Sequence, residues 1–132
     1  MNERIPDAEL DVLACLERLG ESTARQLRET MRAYRPMAHG SMMTLLKRLE
    51  ERGLVAREKA GVGKAFVFRC RPAAAGTLRG ALTRLRERLF DGDSVALVAS
   101  LFEGRPPDSA ELAELQELLD KLRGDAGAER NT

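Results

Sequence analysis

The stretch HGSMMTLLKRLEERGLVAREKAGVGKAFVFRCRP, residues 39–72, decides the fold, because its hydrophobic period changes once near the middle. Met42, Leu45, Leu46 and Leu49 recur at i, i+3, i+4 and i+7, the stripe of a helix with one buried face, which predicts a helix over 39–52. Gly53 ends it. Residues 54–59 then read as a short strand, 60–64 as a glycine-containing turn closed by a lysine, and 65–71 as a second strand. In that second strand Phe66, Phe68 and Cys70 alternate with Ala65, Val67, Arg69 and Arg71. Pro72 closes the hairpin, since proline has no N–H to give a ladder.

Upstream lie two further helical patterns. The first covers 7–19, with Pro6 and Asp7 as a start signal and Gly20 as a stop, and turns Leu10, Leu13, Cys15, Leu16 and Leu19 inward. The second is capped by Ser22 or Thr23, runs to about Ala33 and buries Ala24, Leu27 and Met31. Tyr34, Arg35 and Pro36 break it, because a proline disfavours helix in the residue before it. Three helices followed by a glycine-tipped hairpin is the order of a winged helix.

Downstream the chain returns to helix. Leu78, Ala81, Leu82, Leu85, Leu89 and Phe90 stripe one helix, stopped at Asp91 and Gly92, and Val95, Val98, Leu101 and Phe102 stripe a shorter one. Asp108 and Glu111 form a capping box for a third, which carries Leu112, Leu115, Leu118, Leu119 and Leu122. The predicted class is mostly α with a small β-hairpin. A winged helix-turn-helix domain over 1–72 is expected, then a C-terminal helical dimerisation segment over 73–123 and a disordered tail over 124–132.

Of the 132 residues 43% are hydrophobic, and only five are aromatic, so the core is built from Leu, Ala and Val at helical spacing. Cys15 and Cys70 fit no metal-binding or redox spacing and read as small buried hydrophobes. No apolar run approaches the ~20 residues that cross a bilayer, and the N-terminal residues carry no secretory pattern, so a cytoplasmic location is expected. The net charge of +1 conceals a division: residues 1–72 carry +4, residues 73–132 carry −3, and 25–71 alone hold 12 basic against four acidic residues. Positive charge gathered on one segment is the footprint of a nucleic-acid reader.

The major groove of B-DNA admits one helix propped by others, so the third helix is the candidate reader. Its face outside the leucine stripe carries His39, Gly40, Ser41, Met43, Thr44, Lys47 and Arg48. Ser41 and Thr44 suit bases or phosphates, Met43 suits a thymine methyl, and Lys47 and Arg48 suit phosphates. In the hairpin, Arg57, Lys59, Lys64 and Arg69 are candidates for the flanking backbone or the minor groove. The alternative for each charged group is the solvated face of a helix or strand; their concentration on one helix–helix–helix–hairpin unit favours DNA. Duplex operator DNA is therefore the expected partner.

The C-terminal leucines form stripes too narrow to bury alone. Leu82, Leu85, Leu89, Val98, Leu101, Leu112, Leu115, Leu118, Leu119 and Leu122 are expected to pair with a second copy as a homodimer, the alternative being a fold-back onto the winged helix. An enzyme is not expected: there is one His, no phosphate-cradling glycine loop and no pair of carboxylates around a pocket. No cofactor or metal is expected. A non-catalytic interaction adaptor on the same scaffold is the competing reading.

The chain resembles the penicillinase-repressor family of bacterial regulators (BlaI, MecI and CopY). The similarity lies in AELDVL at 8–13, TLLKRLEERGLV at 44–55, FVF at 66–68, FDG at 90–92, ALV at 96–98 and the leucine-rich stretch 111–122. The resemblance implies a homodimeric repressor on palindromic operator DNA. It implies release by a membrane sensor protease cutting near Ser100 and Leu101, or by metal binding to a cysteine-rich tail. This sequence has Ser-Leu where the family's cleaved bond is Asn-Phe, and no cysteine over 124–132. Residues 38–43 also lack the tyrosine or tryptophan common near the start of the family's reading helix.

Overall fold

The computed structural model describes residues 4–59, 63 and 65–130. Their elements are, in order, α1 (Asp7–Leu19), α2 (Ala24–Met31), α3 (His39–Glu51), β1 (Val55–Lys59), β2 (Phe66–Cys70), α4 (Ala73–Phe90), α5 (Ser94–Leu101) and α6 (Ser109–Arg130). The mostly helical class with one hairpin is what the changing hydrophobic period predicts. Lys64, a predicted contact residue, lies outside the described residues.

Each boundary has a local cause. Gly20 and Gly53, both at φ 78°, take positive φ values that residues with a Cβ rarely adopt, which lets the chain leave α1 and α3. Thr23 caps α2 in a reciprocal box: its hydroxyl accepts from Gln26 N at 3.1 Å, and its own N–H donates to Gln26 Oε1 at 2.8 Å. Ser22 does not cap. It bridges β2 instead, its N–H donating to Phe68 O at 3.0 Å and its carbonyl accepting from Phe68 N at 2.8 Å. The hairpin is antiparallel with Val55 opposite Cys70, Arg57 opposite Phe68 and Lys59 opposite Phe66.

The core of the first compact unit, Met1–Arg84, joins Val12, Leu13, Cys15 and Leu16 of α1 to Leu27 and Met31 of α2. Met42, Leu46 and Leu49 of α3, with Phe68 of β2, complete it. Fully burying a side chain of this size stabilises by about 1.5–3 kcal/mol, so the three helices and the hairpin are held chiefly by this shared apolar centre. Met42, at zero exposure, takes the inward place and leaves the adjacent Met43 half-buried.

Two sequence expectations are corrected by the structure. The compact unit extends past Pro72 to Arg84, because Ala74 is fully buried and Leu78 packs on the same core, making the first turns of α4 part of the winged-helix unit. Residues 124–130 are helical, not a disordered tail. Gly124 and Gly127 do not take the positive φ seen at Gly20, and α6 continues to Arg130.

The second unit, Leu85–Thr132, is organised by its turns. Asp91 (φ 50°) and Gly92 (φ 80°) end α4, and Asp93 caps α5 by accepting from Ala96 N at 3.0 Å. Asp108 accepts from Glu111 N at 2.8 Å to start α6, while Arg105 holds Glu111 with two bonds of 2.9 and 3.0 Å. That guanidinium lowers the Glu111 carboxyl below its ordinary value. Leu82 and Leu85 on α4 lie exposed with Leu89, Val98, Leu101, Leu112, Leu118, Leu119 and Leu122, whereas Leu115 is half-buried. None of the described helices is long and apolar enough to cross a membrane.

Candidate nucleic-acid interface

Helix α3 is fixed on one side and open on the other. Its inward side chains are sunk in the core, and two ion pairs fasten its C-terminal end. Arg52, the residue that closes α3, donates from Nε to Glu9 Oε1 of α1 at 2.9 Å, and Glu9 retains 1% exposure. Glu50 receives the Arg57 fork from β1, with Nε at 2.9 and 3.0 Å from its two oxygens and Nη2 closing the bidentate pair. At the other end Arg28 Nε donates to Met37 O at 3.0 Å, pinning the turn that leads into α3, and Arg35 pairs with Asp11.

Among the described residues the outer face has no such ties. His39, Gly40, Ser41, Thr44, Lys47 and Arg48 are all exposed, and Met43 sits half-buried beside them. These seven predicted residues therefore do share one surface. The Thr44 hydroxyl donates to Gly40 O at 3.0 Å, which leaves its oxygen free to accept. Ala38 precedes α3 and offers no capping side chain, so among the described residues no N-cap side chain satisfies the first N–H groups of the helix. Such an end is suited to an anion, since the helix dipole adds partial positive charge to those donors.

The hairpin residues are not all brought together. Arg69 pairs across from Ala56 and lies exposed on one face, while Lys59 shares the other face with Arg57, Phe66 and Phe68. Arg57 faces inward: its guanidinium carbon lies 5.0 Å from the Phe66 ring centre and 5.2 Å from that of Phe68. Its hydrogen bonds to Glu50 raise its affinity for its proton, against the opposing effect of burial. Its charge is satisfied within the protein.

One basic group lies outside the candidates named from sequence. Arg25 and Arg28 of α2 and Arg32, which closes it, stand at i, i+3 and i+7 and, with Glu29, Pro36, Met37 and His39, line an open cavity of about 510 Å³ beside the start of α3. That spacing is the signal that could have found them. Arg25 pairs with Glu29 at 3.1 Å, both exposed.

The family model described as "Penicillinase repressor" matches residues 5–121. The chain belongs to the penicillinase repressor family. As a penicillinase repressor it is a DNA-binding transcription regulator of winged-helix fold. No curated protein matches it. Solved structures similar to this repressor include a cysteine-to-serine mutant of MarR from E. coli complexed with operator DNA, at 19% identity and TM-score 0.57, covering 89% of this chain and 75% of that one. A MarR family protein from Bacillus stearothermophilus is 21% identical with TM-score 0.55 over 96% and 78% of the two chains. The ligand-free organohalide-sensing regulator RdhR-CbdbA1625 is 23% identical with TM-score 0.54, over 92% of this chain; the repressor spans only 64% of that regulator's length. At these identities the likeness is one of fold.

Proposed function

We propose that the repressor binds palindromic operator DNA as a homodimer, each α3 lying in a major groove while the helices from α4 onward join the two copies. The observation that carries this reading is the outer face of α3, polar and basic, exposed, on a helix fastened at its C-terminal end by two ion pairs and entered through a turn pinned by Arg28. Ser41, Met43 and Thr44 are the readers of base edges. Lys47, Arg48, Arg25, Arg28 and Arg32 neutralise phosphates, and Lys59 does the same from its face of the hairpin. The MarR mutant, of similar fold, was solved on operator DNA, which supports this placement.

The exposed leucines and valine of α4, α5 and α6 support the second half of the reading. An apolar surface on that scale is normally covered, and a second copy is the self-complementary cover that a palindrome requires. Release by proteolysis is proposed at the last turn of α5, where Ser100 and Leu101 are both exposed; a membrane sensor protease is the partner implied. The bond differs from the family's Asn-Phe, so such a protease must have altered specificity.

The test is affinity for a duplex selected by the chain from a random-sequence pool, measured against salt. With roughly six phosphates neutralised per dimer, the slope of log K against log salt should lie near −5. Selection of no sequence, or a slope near zero, refutes the reading. The adaptor alternative then stands, and no observation on this chain favours it otherwise.

A further inference from the structure

Arg57 sits in the hairpin of a DNA-binding unit, yet its guanidinium is directed back into the protein. One edge meets the Glu50 carboxylate at the end of α3, and the cation lies within cation–π distance of two aromatic rings on β2. The side chains of Arg57 and Glu50 are only 28% and 25% exposed, so the pair is weakly screened. A fork-to-carboxylate pair fixes direction as well as distance, which a lysine in the same place does not do. The same Phe66 and Phe68 rings also line, with Met43 and His39 of α3, an apolar cavity of about 340 Å³. One guanidinium thus touches the reading helix, by way of Glu50, and both aromatic residues of the hairpin.

We propose that Glu50 and Arg57 form a strap that sets the angle of the hairpin to α3, and that Arg57 is a positioning residue with no DNA phosphate of its own. This rests on the DNA-reading function proposed above. It carries a sign that separates it from direct contact. Glu50 is a negative charge close to a polyanion site, so Coulomb attraction alone has Glu50→Gln bind DNA more tightly. A strap has the same substitution bind its selected operator less tightly, because the hairpin loses its set position.

The experiment measures Glu50→Gln, Arg57→Gln and the double variant on a duplex selected by the wild-type chain and on random-sequence duplex. Each single change is expected to weaken selected-duplex binding about tenfold. The double variant should be no weaker than either single, since one strap cannot be cut twice. The salt slope of Arg57→Gln should equal that of wild type, where loss of a phosphate contact shifts it by about one unit per copy. In the free protein, amide exchange in β1 and β2 should quicken about tenfold and equally in both single variants, with Val12–Leu16 of α1 unchanged as evidence of an intact fold. Tighter binding by Glu50→Gln, additive losses, a shallower slope for Arg57→Gln, or unaltered hairpin exchange each overturns the strap. If the wild-type chain selects no sequence, the DNA reading fails, and hairpin exchange alone decides the strap.

Discussion

Replacing Glu9 with alanine tests what holds α3 to the rest of the first unit. Glu9 is buried to 1% exposure, and its oxygen takes a 2.9 Å bond from Arg52, whose side chain is 28% exposed. Removing one member of a fully buried pair costs about 3–5 kcal/mol, because the other charge stays desolvated. Water already reaches more than a quarter of the Arg52 side chain and can rehydrate it, which brings the expected loss to about 2–3 kcal/mol. The chain has two compact units, so one melting curve mixes them. Amide exchange of Val12–Leu16 under native conditions reads the first unit directly, and the loss corresponds to exchange roughly 30 to 150 times faster. Glu9→Gln, which keeps the packing and an acceptor, should lose about half as much. If exchange in Glu9→Ala stays within about threefold of wild type, the ion pair is not what pins α1 to α3.

Other expectations follow from the same geometry. Arg48→Ala should weaken binding to every duplex about tenfold, while Ser41→Ala and Thr44→Ala should change the sequence recovered by selection, each being worth about 1–3 kcal/mol at one base position. Leu118→Asp should sediment as a monomer in analytical ultracentrifugation and bind its selected duplex at least about a hundredfold more weakly, as the two half-sites no longer share one molecule; a surviving dimer in both Leu118→Asp and Leu115→Asp refutes the interface. Thr23→Ala removes the α2 cap and should cost about 1 kcal/mol in urea unfolding. Burial first, and the Glu17 carboxylate second, push the Cys70 thiol up from 9.0 to about 12. The unfolded chain then releases this proton as pH passes 9.0 while the folded chain keeps it, so stability present below that value is lost between pH 9 and 12; Cys70→Ala should flatten the decline in unfolding midpoint over that window.

Much of the fold is legible in the sequence because it depends on local periodicity. The stripe Met42, Leu46 and Leu49, the glycine stops at Gly20 and Gly53, and the alternation around Phe68 each need only their neighbours along the chain. What stays hidden depends on partners distant in space. A strand arginine reads as a solvent-facing cation, and nothing in the order of residues says that Arg57 turns inward to Glu50. Ser22 satisfies every local rule for a helix cap, yet pairing with Phe68 takes it into the ladder. Arg25, Arg28 and Arg32 escape a reading that weighs α2 only by its buried face, although their spacing is visible. The continuation of α6 escapes a reading that equates polar composition with disorder, when acidic and alanine residues around two glycines can still sustain a helix.

Strand β1 has one consequence for the protein's behaviour at high concentration. Among the described residues it pairs only with β2, so its other side presents bare amide and carbonyl groups of the kind that recruit foreign strands into aggregates. Three of its five residues, Arg57, Glu58 and Lys59, carry charge, and the first points inward. An incoming strand would have to settle against the exposed charges of Glu58 and Lys59. Crowded copies are thereby discouraged from zipping together by their hairpins.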